Sequence, residues 1–170
     1  NTTTPGYQYG QYIVGIGALS TGGFVVAWES ADGWGYGIFA QRFGADGQPI
    51  GGEFQVTRAA ENYAEQLQPR VLGLAGGAFV IAYADGYYAD GNSYGVRVQH
   101  YDASGTVVGD PVTINTFTGD NQSFPHLAGL ADGGYVVVWN SYAEDGDSWG
   151  VFARRMNADG TPRGDEIPVN

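Results

Sequence analysis

Thr21-Gly22-Gly23-Phe24-Val25-Val26-Ala27-Trp28 returns as Gly76-Gly77-Ala78-Phe79-Val80-Ile81-Ala82-Tyr83, and again as Asp132-Gly133-Gly134-Tyr135-Val136-Val137-Val138-Trp139. Trp28 and Tyr83 lie 55 residues apart, Tyr83 and Trp139 56. Self-similarity at a fixed period of this size marks a repeat architecture. Working outward, Gly37-Ile38-Phe39-Ala40-Gln41-Arg42-Phe43 matches Gly95-Val96-Arg97-Val98-Gln99-His100-Tyr101 and Gly150-Val151-Phe152-Ala153-Arg154-Arg155-Met156. Ala45-Asp46-Gly47 then matches Ala103-Ser104-Gly105 and Ala158-Asp159-Gly160. The chain therefore reads as a single domain of three repeats, 1–56, 57–114 and 115–170.

Each unit divides into four short strands, A to D. In the third unit they are expected over 125–130, 135–141, 150–156 and 161–169. Along strand B, Tyr135, Val137 and Trp139 share one face and Val136 and Val138 the other, because successive side chains alternate. A strand apolar on both faces is expected to be central and buried. Asp-Gly and Ser-Gly pairs between C and D supply the positive φ of tight hairpins. No segment has a convincing helical period; 59–68 is the nearest. The expectation is an all-β fold of three four-stranded antiparallel repeats, either propeller-blade-like or a compact pseudo-threefold body of prism or trefoil type. Three routes stay open: closure of the units on themselves, two chains completing a six-unit ring, or a stretch of a longer array.

Composition narrows the partners. The 170 residues carry 7 basic and 18 acidic side chains, net −11, and every basic one is Arg. That field repels nucleic acid and anionic membrane surfaces. No stretch is long and apolar enough to insert in a membrane. With 0 Cys there is no disulfide, thiol nucleophile or zinc–thiolate site. The chain lacks the motifs of serine hydrolases, zinc proteases, phosphate loops and dinucleotide binding, and it is not expected to be an enzyme.

Candidate function sits in the B–C loop. Asp32-Gly33-Trp34-Gly35-Tyr36-Gly37 matches Asp90-Gly91-Asn92-Ser93-Tyr94-Gly95 and Asp145-Gly146-Asp147-Ser148-Trp149-Gly150, a D-G-x-x-[YW]-G pattern. Three readings of it stand side by side. As a turn lock, Asp accepts backbone N–H groups and Gly takes positive φ. As a calcium site, Asp32, Asp90 and Asp145 would be ligands, although six to eight oxygens are needed and no D-x-D-x-D-G ladder is present. As a sugar site, Trp34, Tyr36, Tyr94 and Trp149 stack on pyranose C–H faces while Asp32, Asp90, Asn92, Asp145 and Asp147 bond the hydroxyls. Glu29, Asp85 and Glu144 add carboxylates nearby. Trp28, Tyr83 and Trp139 are expected to be core. Gln11, Gln66 and Gln122 are expected to bridge units, and Arg42, His100 and Arg155 to mark a surface or inter-unit polar position.

The runs G-G-F-V-V-A-W-E-S, D-G-x-G-Y-G-I-F-A-Q-R-F and A-D-G-x-P-x-G-G-E-F-Q-V resemble a tandem repeat of large secreted bacterial proteins of the adhesin-like, hemolysin-type calcium-binding kind. The resemblance spans all three units. It implies an extracellular or cell-surface β module, with adhesion or glycan binding rather than chemistry. The G-G-x-G-x-D calcium repeats that accompany such proteins are missing here, so no cofactor is required and Ca2+ is an option only. The expected function is a secreted, multivalent carbohydrate-binding or adhesive module that contacts a glycan or cell-surface polysaccharide with one weak site per repeat. The rival is a structural repeat that self-associates, as a homo-oligomer or a continued array, without a ligand.

Overall fold

The computed structural model describes residues 14–31, 35–57, 65–86 and 93–170. Its strands are β1 (Val14–Leu19), β2 (Gly23–Ala31), β3 (Tyr36–Phe43), β4 (Pro49–Gln55), β5 (Gln66–Gly73), β6 (Phe79–Asp85), β7 (Gly95–Tyr101), β8 (Val107–Thr113), β9 (Gln122–Gly129), β10 (Tyr135–Tyr142), β11 (Trp149–Met156) and β12 (Ile167–Pro168). They form three four-stranded antiparallel meanders, β1–β4, β5–β8 and β9–β12, one per sequence unit. Among the described residues the one helical piece is a 3-10 turn, Ala75–Gly77.

The alternation read in strand B sets how the sheets stack. Each sheet has a front face, carrying Trp28, Tyr83 or Trp139, and a back face. The back of the first sheet (Val25, Ala27, Ile38, Ala40) packs on the front of the second (Phe79, Ile81, Tyr83, Tyr101). The back of the second (Val80, Ala82, Val96, Val98) packs in turn on the front of the third (Tyr135, Val137, Trp139, Met156). Among the described residues no core joins the first sheet to the third. Of the two arrangements anticipated, the sheets therefore take the blade-like one. In the middle sheet β6 is buried on both faces from Phe79 to Ala84, and β7 from Val98 to Tyr101.

The first strands of the sheets lie closest together. A Cβ on Gly73 would stand 2.0 Å from the Ala18 carbonyl oxygen, and one on Gly15 2.6 Å from that of Pro69. Both β5 and β9 carry a bulge with a left-handed residue, Gln68 (φ 61°) and Phe124 (φ 55°). The preceding sheet satisfies the displaced amides: Gln68 N–H donates to Glu29 Oε1 at 2.6 Å, and Phe124 N–H to Gln68 Oε1 at 2.6 Å.

A side-chain clamp closes each sheet. Ile38 N–H donates to Thr57 Oγ1 (3.0 Å), Val96 N–H to Asn115 Oδ1 (2.8 Å) and Val151 N–H to Asn170 Oδ1 (2.7 Å). Two expectations change. The fourth strand of the third unit, expected over 161–169, is only Ile167–Pro168 plus a bridge from Met156 to Pro162, since proline cannot donate to the ladder. Gln122 is fully buried, but its side chain braces its own connection, reaching the Gly119 and Asp120 carbonyls, Asn115 and Ser141, and only its backbone N–H crosses to Tyr94. Gln66 is also buried and donates to Asp85 in the same sheet at 3.1 Å; Gln11 lies outside the described residues.

Candidate functional site

The B–C loops leave from the end of each sheet at which its first strand begins, where Gln66 pairs with Asp85 and Gln122 with Ser141. Of the nine residues singled out in these loops, Asp32, Trp34, Asp90 and Asn92 lie outside the described residues. Tyr36 opens β3 opposite Ala31 and is half-buried. Tyr94 is half-buried too: its hydroxyl is 3.3 Å from Glu65 Oε2 and its ring crowds Gly86. Burial, then the Glu65 charge, pushes that hydroxyl pKa up.

Asp145, Asp147 and Trp149 come together at the third loop. Gly146 takes φ 91°, Asp147 N–H donates to Asp145 Oδ1 (3.2 Å), and Ser148 N–H donates to Asp147 Oδ1 (2.8 Å). Both carboxylates thus hold their own turn, as the turn-lock reading expects. The same turn thrusts Trp149 outward, 48% exposed, against the edge of Tyr142 at a centroid distance of 5.3 Å and 69°. An exposed indole braced edge-on by a phenol, on a loop that also carries two carboxylates, is suited to stack on a flat apolar face.

The loop end also gathers further carboxylates. Asp85 pairs with Arg97 at 3.2 Å and accepts from Gln66. Glu29 is 4% exposed beneath the Gln68 amide. Glu166 accepts from Thr116 N–H and Oγ1, each at 2.5 Å, and lies beside Glu144. Glu65 has no acidic counterpart in the aligned units, where Gly10 and Asn121 stand, whereas Glu166 falls on Glu53 of the first unit and was passed over. Three carboxylates or imidazoles placed to hold a metal are not found among the described residues. At Asp145 and Asp147 one oxygen each accepts a backbone N–H group.

The buried carboxyls predict a pH dependence. Burial, with the Glu166 and Asp145 charges behind it, raises Glu144 from its ordinary 4.5 despite a bond from Ser141. Burial raises Glu29 likewise, the Gln68 N–H opposing and Glu65 adding. A carboxyl that protonates more readily folded than unfolded costs stability as pH rises through its folded value, and the loss is recovered on acidification towards 4.5. Asp102, Asp132 and Asp159 are held low by hydrogen bonds, so their contribution disappears once pH falls below 3.8. The melting temperature should rise from pH 7 to about pH 5 and fall again on further acidification. Glu144→Gln should raise it at pH 7 and flatten the rise. An unchanged rise in that variant would remove Glu144 as its source.

No protein-family model and no curated protein matches the chain. Solved structures do. The α-L-arabinanase of Penicillium chrysogenum complexed with arabinobiose superposes with a TM-score of 0.65 at 16% identity, over 94% of this chain and 51% of that one. The GH43 endo-arabinanase from Bacillus licheniformis gives 0.55 at 16%, over 95% and 59%. The endo-arabinase of Bacteroides thetaiotaomicron gives 0.55 at 14%, over 89% and 55%. The sheets are propeller blades. At these identities the likeness is one of fold, and the chain spans a little over half the length of the structures it matches. Counted as blades, the three units explain why each four-stranded sheet presents one face forward and one back, and why their loops gather at a common end.

Proposed function

We propose that these blades form a secreted or cell-surface carbohydrate-binding module, lectin-like or adhesive, which holds polysaccharide weakly at its loop end and does not cleave it. The observation that carries the reading is Trp149, 48% exposed and braced by Tyr142, at the end of the loop that carries Asp145 and Asp147. Structures that share the fold are arabinanases, and one holds arabinobiose, which supports a carbohydrate of that class. Weak sites repeated on one body gain by avidity when the target is a polymer.

Titration calorimetry with soluble arabinan and xylan, following tryptophan fluorescence in parallel, tests this. Binding is expected, and Trp149→Ala should weaken it about tenfold, or about 1.4 kcal/mol. Equal affinity in the variant, or no heat with either polymer, would discard the loop as the site. Released sugar in the same mixtures would discard the non-catalytic reading instead. Calcium is proposed to be dispensable, so melting and binding should be unchanged by a chelator.

A further inference from the structure

At the end of the blades where the C–D hairpins lie, the two internal junctions are latched differently. In the first, Arg42 on β3 reaches the hairpin of the second blade and donates to the carbonyls of Ala103 (2.7 Å) and Ser104. His100 holds the same strand position on β7, opposite Val80 as Arg42 is opposite Val25. Its Nε2 lies 2.9 Å from the Tyr135 hydroxyl on β10 of the third blade, with the two rings tilted at 53°. A guanidinium keeps its charge at any pH at which a protein stays folded, whereas an imidazole changes its charge in mild acid. Of these two latches, only the second titrates.

The surroundings of His100 suit a neutral ring. It is 8% exposed and Tyr135 is 0% exposed. Its cross-strand neighbours in its own sheet are Val80 on β6 and Val108 on β8. From the third blade the buried Gly160 presses on the ring so closely that a Cβ there would stand 2.6 Å from Cε1 and 2.8 Å from Nε2, which leaves no space for water on that side. Asp159, in the same hairpin, is the carboxylate whose charge acts on the ring. Its Oδ1 is engaged by Thr161, from N–H at 2.9 Å and from Oγ1 at 2.6 Å. Asp132, in the neighbouring turn, faces Arg155 and Arg163. Asp102, in the hairpin that follows β7, accepts from Ser104 and Thr106. Burial outweighs the Asp159 attraction and lowers the ring pKa from 6.5.

A neutral imidazole and a phenol share one proton along their contact, in either direction. With protons on both ring nitrogens, Nε2 only donates. Burial, then the Asp159 charge, pushes the Tyr135 pKa up, so the phenol keeps its own proton, and among the described residues it has no other hydrogen-bond partner. The contact would then leave a buried O–H without an acceptor, beside a buried cation that Asp159 only partly offsets. We propose that the His100–Tyr135 contact is an acid-sensitive latch, which holds the second and third blades together while the ring is neutral and loosens that junction when the ring takes up a proton. Because the unfolded ring ionises at 6.5 and the folded one lower, the stabilisation is whole above 6.5 and is lost as pH falls below it. Glu29 and Glu144 act in the opposite sense over the same range, so the melt of the whole chain carries both effects. The inference is independent of the glycan reading.

Two measurements test it. His126→Gln, at an exposed position, leaves a single imidazole in the chain, and its NMR titration then reports His100 with the latch itself unaltered. A midpoint below 6.5 is expected. Amide hydrogen exchange then compares the two junctions at about pH 7 and about pH 5. Amides of residues 135–138 and 156–160 should lose protection severalfold in acid, relative to those of 79–82 at the first junction. His100→Gln keeps a hydrogen-bonding amide towards Tyr135 but does not titrate, and it should abolish that loss. The same variant should steepen the rise in melting temperature between about pH 7 and about pH 5. A ring midpoint at or above 6.5 would overturn the proposal. So would an equal loss of protection at both junctions, a loss that persists in His100→Gln, or a melting-temperature rise of unchanged steepness in that variant.

Discussion

Replacing Gly73 by alanine is expected to cost roughly 3 kcal/mol or more, at or beyond the upper end of ordinary overpacking. The added Cβ would fall 2.0 Å from the Ala18 carbonyl oxygen and 3.2 Å from the Leu19 Cα, against backbone that has no rotamer in which to retreat. The first and second blades would have to separate, which would open the core shared by Val25, Ile38, Ile81 and Tyr83. Gly52 is the control. Nothing lies within 4 Å of a Cβ placed there, and its φ is not left-handed, so Gly52→Ala should be neutral or slightly stabilising. Urea unfolding of the pair measures the difference; similar midpoints would show that the first strands do not approach as described.

The second large effect is expected at Trp139. It is wholly buried between the second and third blades and lies 6.5 Å, centroid to centroid, from Phe152. Trp139→Ala should cost about 3–5 kcal/mol, as large-to-small substitutions of buried aromatics do. Set against a total of about 5–15 kcal/mol for a domain, that loss approaches unfolding at physiological temperature. Trp139→Phe should cost far less. It keeps a ring in place and removes an indole N–H that has no hydrogen-bond partner. Thermal melts of the two variants decide the matter, and equal melting temperatures would mean that the ring is not holding that junction.

The three copies, their four strands and their turns were legible because local chemistry repeats whatever surrounds it. Gly22, Gly77 and Gly133 stand at φ 96°, 87° and 86°, one conformation required three times. The two apolar faces of strand B were legible for the same reason, but how deeply each face is buried was not. Val80 is sealed, whereas its counterpart Val136 is half-open, because burial depends on which neighbour a copy has rather than on its own sequence. Trp28, expected in the core with Tyr83 and Trp139, is half-buried. Of the surface and inter-unit positions expected for His100, the structure gives the second, buried against Tyr135 of the next blade. At the candidate site, Trp149 and the turn-holding Asp145 and Asp147 follow from the motif. The Glu144–Glu166 contact does not: it joins residues 22 positions apart through a strand shortened by prolines, and no local pattern encodes it.

The two internal junctions are built alike but fitted differently. Gly15 and Gly17 let the first pair of inner strands touch backbone to backbone, while in the second pair Arg70 and Leu72 stand at the corresponding positions and Leu72 Cδ1 comes no nearer than 3.9 Å to a Cβ on Gly129. One latch is a guanidinium on carbonyls, the other an imidazole on a phenol. The copies are therefore addressed rather than interchangeable. A gene in which the second and third segments were transposed would keep every strand, every hairpin and the whole composition, and would still bring Leu127 against an inner strand contoured for Val71.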